Sequence, residues 1–172
     1  MKTIRLSCAH ALFKYLIAQK TIIEGKKAPL FPGAFAIYGH GNVACLGQAM
    51  EEFQSDLPGY RGHHEQSMAL SGVGYARAMR RKQIFIATSS SGPGAMNMVT
   101  AAGVALSNRL PLLLLPGDVF ASRFPDPVLQ QVENFNSPVE NQNDAFKPVS
   151  RYFDRITRPE QILNSLPQAI QI

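Results

Sequence analysis

Between Ser7 and Lys20 the apolar residues Ala11, Leu12, Tyr15 and Leu16 recur on one side of a 3.6-residue period, which predicts an amphipathic helix opening the chain. A polar connection from Glu24 to Pro32 leads into Ala34-Phe35-Ala36-Ile37-Tyr38, a short apolar run of buried-strand type closed by the turn Gly39-His40-Gly41-Asn42. A second helix is expected from Val43 to about Phe53, with Pro58-Gly59 ending that unit. A third runs from Glu65 to about Met79, with Met68, Ala69, Gly72, Val73, Ala76 and Met79 on one face. That face is made of small side chains, and each helical Gly costs about 1 kcal/mol relative to Ala. Close packing of the helix on a sheet is enough to account for Ala69, Gly72 and Ala76.

In the second half, Gln83–Thr88 reads as a strand, Ser89–Gly94 as a turn, and Ala95 to about Ser107 as a helix with Met98, Ala101, Ala102 and Ala105 inward. The run Leu112–Leu115 is apolar enough for the middle of a parallel sheet rather than its edge. Strands alternating with helices predict an α/β fold, a doubly wound and mostly parallel sheet flanked by helices. Residues Ala121 to Lys147, rich in Pro, Asn, Gln and Asp, predict a long irregular crossing segment. Val149–Ile156 is expected as a last strand, and Arg158-Pro159-Glu160 opens a terminal helix with Thr157 as N-cap. No internal repeat is evident, so residues 1–172 read as a single domain.

With 172 residues, 45% hydrophobic and 17% charged, the chain can bury a core of its own. His10, Lys14 and Lys20 interrupt any leader-like apolar run, and no stretch reaches membrane-spanning length, so a cytoplasmic protein with no membrane partner is expected. The net charge of +5 is scattered, apart from Lys26-Lys27 and Arg80-Arg81-Lys82, and lacks interleaved aromatics. That pattern speaks for solvated loops and against nucleic acid. Cys8 and Cys45 lack metal-ligand spacing and are expected as buried, reduced thiols; no metal ligand is assigned.

Ligands of open α/β sheets bind outside the carboxyl ends of the strands. Three turns should gather there: Gly39–Asn42, Ser89–Gly94 and Pro116–Asp118. Their glycines allow positive φ and close approach of a ligand. Ser89–Gly94 is not a Walker A loop, since no Lys-Ser/Thr follows its last glycine, and it lacks the G-x-G-x-x-G spacing of dinucleotide folds. Glu65 stands out as a carboxylate at the mouth of the small-residue helix, where the helix dipole alone would also favour it.

Arg61-Gly62-His63-His64-Glu65-Gln66, Gly74-Tyr75-Ala76-Arg77, and Thr88 through Ser91-Gly92-Pro93-Gly94 with Asn97 and Val99-Thr100 resemble the pyrimidine-binding domain of thiamine diphosphate enzymes of the acetolactate synthase type. The resemblance continues through Pro111 and the leucine run to Gly117-Asp118. It implies that Glu65 is catalytic and binds the cofactor: hydrogen-bonded to a ring nitrogen of the aminopyrimidine, it would favour the imino tautomer that deprotonates the thiazolium ring. It implies that His40 faces the substrate and shuttles protons, the alternative being a loop histidine bonded to backbone. Gly39, Gly92, Gly94 and Asn97 would contact the cofactor, with Asn97 near the pyrimidine amino group or else satisfying helix-start backbone groups. His63 or His64 would position or cap Glu65, whereas Asp118 and Arg123 take no role.

A narrower resemblance, to the branch of the family that hydrolyses a carbon-carbon bond of a cyclic 1,2-dione in inositol catabolism, rests on four stretches. These are the extended polar segment before the first strand, Gly39-His40-Gly41-Asn42, Pro116–Ala121, and Pro125-Asp126-Pro127-Val128-Leu129-Gln130-Gln131. It implies a small cyclic polyol-dione substrate, the alternatives being a carboligase or decarboxylase, or a non-catalytic α/β assembly module. The family's diphosphate and Mg2+ site is a Gly-Asp-Gly motif with a downstream Asn on a separate domain, and here Gly117-Asp118 is followed by Val119. The resemblance therefore implies a fragment of a longer homodimeric or higher homo-oligomeric enzyme, inactive alone. Its thiamine diphosphate would be shared with a missing diphosphate-binding domain, which alone would bring Mg2+.

Overall fold

A computed structural model describes residues 3–121, 129–130 and 140–172. Its sheet has four parallel strands in the order β4-β3-β5-β6: β3 (Ala34–Ala36) and β5 (Ile86–Thr88) inside, β4 (Gly59–Arg61) and β6 (Leu113–Leu115) outside. Alternation along the strands divides the core in two. Ala34, Ala36 and Ile86 face a layer that includes Phe13 and Leu16 of helix α1 (Cys8–Ala18) and Ile162 and Leu166 of a C-terminal helix. Phe35 and Ala87 face the opposite layer, where Ala69 and the buried Ala101 and Ala102 come from two further helices. Helices on both faces of a parallel sheet are the doubly wound α/β arrangement that the periodicity predicts. Phe13 and Leu16 are 1% and 0% exposed, each stabilising the fold by about 1.5–3 kcal/mol.

Helix α1 starts where Ser7 Oγ accepts from the His10 amide. The expected loop after it is instead an antiparallel hairpin of β1 (Lys20–Ile23) and β2 (Lys26–Pro29), with Glu24 (φ 50°) and Gly25 (φ 77°) as its turn. Two consecutive positive φ values match the right-handed twist of the strands, and the short, charged strands hide the pattern in the sequence. The expected exit turn Gly39–Asn42 is helical (α2) and continues through a π turn, Val43–Gly47, into α3 (Gln48–Glu52). Pro58-Gly59 does not end the unit, because Gly59 begins β4. Its missing Cβ leaves room for the Met50 methyl.

Helix α4 (Glu65–Ala78) packs tightly against the sheet, as its small face predicts: a Cβ on Gly72 would lie 2.8 Å from Leu112 Cδ1 and 3.3 Å from Phe85 Cβ. The short helix α5 (Pro93–Met96) is separate from α6 (Val99–Ser107), so the expected single helix is broken near Asn97. The leucine strand lies at the edge of the described sheet rather than in its middle. Its apolarity answers packing on both faces, since the half-buried Leu113 and Leu115 pack against one core and Leu112 and Leu114 against the other.

The expected strand Val149–Ile156 is not formed. Gln142–Val149 is a 3-10 helix, and the extended residues after it are unpaired, with an apolar cavity of about 490 Å3 lined by Leu113, Leu115, Phe153, Ile156 and Leu166. Side-chain bonds hold this segment instead: Asp154 accepts from Ser165 Oγ, and Arg155 reaches Asp118. Thr157 is not the N-cap of the terminal helix. A 3-10 turn (Pro159–Gln161) intervenes before α7 (Ile162–Gln171), and Gln161 Oε1 accepts from the Thr157 amide at 2.8 Å and the Arg158 amide at 2.9 Å. Of the expected crossing segment, 122–128 and 131–139 lie outside the described residues, Arg123, Pro125–Val128 and Gln131 among them. Cys45 is exposed and Cys8 half-buried, not both buried, because Cys45 sits on the outward side of the π turn with Val43. Among the described residues no helix is long and apolar enough to cross a membrane.

Candidate functional site

The connections leaving β3, β5 and β6 meet at one rim of the sheet, as the three-turn expectation requires. After β3, Gly39 takes φ 64°, and a Cβ there would collide with the Ser90 side chain. Asn42 Nδ2 donates to Ser89 O at 3.0 Å, tying the first connection to the second. After β6, the Gly117 amide donates to Ser89 O at 3.1 Å, and a Cβ on Gly117 would stand 2.5 Å from Ser91 N. The glycines are therefore spent first on letting three loops touch.

Ser90, 5% exposed, is the hub of this contact. It lies against Gly39 and Gly94, and its hydroxyl donates to Gln130 Oε1. Gln130 also covers Gly92 (φ 68°), where a Cβ would strike the Gln130 carbonyl. Sequence reasoning gave neither Ser90 nor Gln130 a role. The glycines at 92 and 94, flanking a serine run, were the available signal for Ser90; Gln130 carried none of its own.

Glu65 is the first residue of α4, following the extended His64 (φ −154°, ψ 128°). Its carboxylate is half-buried and held at one oxygen: Asn97 Nδ2 donates to Oε2 at 3.0 Å. The other oxygen, Oε1, faces Gly94, where a Cβ would lie only 3.1 Å away. Asn97 caps the carboxyl end of α5, and its own amide is spent on Pro93 O at 3.0 Å. Glu65, Gly94, Asn97 and Ser90 thus form one cluster, with Gly39 and Gly92 joined to it through Ser90 and Gln130.

His63 and His64 do not cap or position Glu65. Both are exposed, the helix start has no side-chain cap, and His64 contributes only its carbonyl, which accepts from the Met68 amide at 3.1 Å. His40 is exposed in α2, and its ring has no hydrogen bond among the described residues, so the alternative of a backbone-bonded loop histidine is not realised. It reaches the rim through Gly39 rather than by any bond to Glu65. The π turn after it exposes Val43, Ala44 and Cys45, and such turns are frequent at functional sites. Burial, with the Glu51 carboxylate as the lesser cause, pushes the Tyr38 phenol above its ordinary range; it stays neutral and donates to Met50 sulfur at 3.1 Å.

The cluster offers a fixed carboxylate acceptor at a helix mouth, one oxygen held by Asn97 and the other facing Gly94. Among the described residues no group of three His, Cys, Asp or Glu side chains could hold a metal ion. Asp118 is occupied by Arg155 Nε at 2.8 Å and Asn141 Nδ2 at 2.9 Å. A carboxylate accepts a hydrogen bond from a protonated ring nitrogen and repels a diphosphate of its own charge.

The family model for the thiamine pyrophosphate enzyme, N-terminal TPP binding domain, matches residues 33–137, the stretch that contains every residue of this cluster. This chain belongs to that family. Among its curated relatives, a 3D-(3,5/4)-trihydroxycyclohexane-1,2-dione hydrolase of Shouchella clausii is 52% identical over 171 residues, 99% of this chain and 27% of the relative. Proteins of the same name from Bacillus velezensis and Bacillus subtilis are 51% and 50% identical over the same shares. The chain spans 27% of the length of these relatives.

Proposed function

We propose that this chain is the pyrimidine-holding half of a thiamine diphosphate site in an enzyme that hydrolyses a carbon-carbon bond of a cyclic 1,2-dione, of the kind named for its relatives, in inositol catabolism. The observation that carries the reading is the Glu65 carboxylate, held by Asn97 at 3.0 Å with its second oxygen facing Gly94. When bound, thiamine diphosphate supplies a carbon nucleophile on its thiazolium ring and, in its aminopyrimidine, the base that generates it. Glu65 would hold the aminopyrimidine through a hydrogen bond between its carboxylate and a ring nitrogen. Gly94 would leave Oε1 of Glu65 within reach of the ring, Gly92 lets the Gln130 carbonyl pack against the turn, and Gly39 keeps the His40 turn against Ser90. His40, exposed and with no ring hydrogen bond among the described residues, would give and take a proton at a substrate carbonyl oxygen.

The diphosphate and Mg2+ fall to another domain, in keeping with the occupied Asp118, and the complete site forms in a cytoplasmic homo-oligomer. In the full-length enzyme, Glu65→Gln is expected to reduce ring opening of the trihydroxycyclohexanedione at least 100-fold and to weaken thiamine diphosphate binding measured by calorimetry, an effect on the order of that of misplaced catalytic groups. Unchanged turnover by Glu65→Gln, or ring opening that proceeds without thiamine diphosphate, would sink the reading. Turnover of pyruvate in place of the dione would assign the site to a carboligase or decarboxylase.

A further inference from the structure

We infer that Asn97 is a positioning residue that acts through Glu65: its side-chain amide fixes the carboxylate so that Oε1 is presented over Gly94. The inference rests on the reading of Glu65 proposed above. A glutamate at the first position of a helix has three rotatable bonds and can swing to solvent or toward the free amides of its own first turn. Here Oε2 is engaged from outside α4, by Asn97 Nδ2 at 3.0 Å, across 32 residues of sequence. Oε1 has no hydrogen-bond donor among the described residues and stands where a Cβ on Gly94 would come within 3.1 Å.

The orientation of the Asn97 amide is itself determined. Its reverse flip would oppose a carbonyl oxygen to a carboxylate oxygen, two acceptors without a proton between them. The break between α5 and α6 places Asn97 where it is: its backbone amide closes α5 on Pro93 O at 3.0 Å, leaving the side chain to cross to α4. The Asn97 side chain caps neither helix start among the described residues; its bond is to Glu65. One face of its amide locks the carboxylate, and Oδ1 is left as an acceptor.

The test uses the full-length enzyme, with four readouts: kcat, KM for the dione, the calorimetric Kd of thiamine diphosphate, and the circular-dichroism band of the pyrimidine's imino tautomer. Asn97→Ala is expected to lower kcat about 10- to 100-fold with KM nearly unchanged, and to weaken the imino band in parallel, because a carboxylate displaced by about 1 Å loses its aligned hydrogen bond. Asn97→Asp, which keeps the shape, sets two carboxylates in contact. Its activity and imino band are expected to be nearly abolished at neutral pH and to recover partly as the pH falls and the pair shares a proton. A residue that served only folding would not bring about that change of pH profile. If Glu65→Gln loses the imino band while Asn97→Ala keeps both band and kcat, or if Asn97→Asp follows the parent pH profile, the inference is overturned and the site reading stands. If Glu65→Gln itself keeps band and turnover, the site reading fails first.

Discussion

A Cβ added at Gly94 would sit 3.1 Å from Glu65 Oε1 and 3.3 Å from Ser90 Cβ, close enough to push but not to break the packing. The nearer neighbour is the end of a flexible side chain, so Gly94→Ala is expected to change stability by less than about 1 kcal/mol in thermal melts. Thiamine diphosphate affinity of the full-length enzyme should fall about 10-fold or more by calorimetry, because the carboxylate is what moves. Gly92 differs: at φ 68° and against the Gln130 carbonyl, its replacement by Ala meets backbone on both counts. The place of Glu65 at the mouth of α4 was legible from the helix period, but a helix-start carboxylate is favoured by the dipole alone, so its proposed role was legible only through the motif around it. Its bond to Asn97 was not, since a contact across 32 residues has no local signature. The thiols show the same limit. Cys45 looked buried among apolar neighbours, yet the π turn points it outward, and DTNB at neutral pH is expected to label it in a fast phase that Cys45→Ser removes. Cys8, whose thiol is pushed up by burial and then by Cys45, reacts slowly.

Helix α4 carries two glycines that its apolar period already separates, Gly72 on the small face and Gly74 off it, and the packing agrees. A Cβ on Gly72 would meet Leu112 Cδ1 at 2.8 Å and Phe85 Cβ at 3.3 Å, whereas one on Gly74 would meet nothing within 4 Å. Gly74→Ala should therefore gain most of the helix propensity difference, about 0.5–1 kcal/mol in urea unfolding. Gly72→Ala gains the same propensity but must displace Phe85, which strand β5 holds from one residue away, and a net loss of about 1 kcal/mol or more is expected. Equal signs for the two substitutions would mean that α4 does not sit on the sheet as described. Helices α1 and α4 were legible because their apolar period persists over three or four turns. Four-residue strands such as β1 and β2 offer too few positions for a period, and their turn is visible only in the φ values of Glu24 and Gly25. The leucine strand misled for another reason: burial on both faces and a central place in the sheet demand the same residues.

At the scale of the whole molecule, the order of helices and strands settled the architecture and the rim at which its turns gather, while the course of the chain after β6 depends on side-chain bonds that no periodicity records. Asp118 is the centre of those bonds. It accepts from its own Val119 amide at 2.7 Å, from Asn141 Nδ2 at 2.9 Å and from Arg155 Nε at 2.8 Å, joining the exit of β6 to the 3-10 helix and to the unpaired segment before α7. The carboxylate and the guanidinium are 25% and 31% exposed, so the ion pair alone contributes less than a buried one. Removing Asp118 would nonetheless strand two further donors. Asp118→Ala is expected to cost about 1–3 kcal/mol in urea unfolding of this chain and to lower its Tm by several degrees. Asp118→Asn, which keeps an acceptor but loses the charge, should cost less. The Gly117-Asp118 pair also invites reading as half of a metal motif, and the two roles separate cleanly: a structural Asp118 predicts that, in the full-length enzyme, Asp118→Asn leaves the Mg2+ concentration for half-maximal activity unchanged while the melting temperature falls. A shifted Mg2+ requirement without a change in melting would make Asp118 a metal ligand in the assembled enzyme, and the clamp to Arg155 a feature of this domain only when its partner domain is absent.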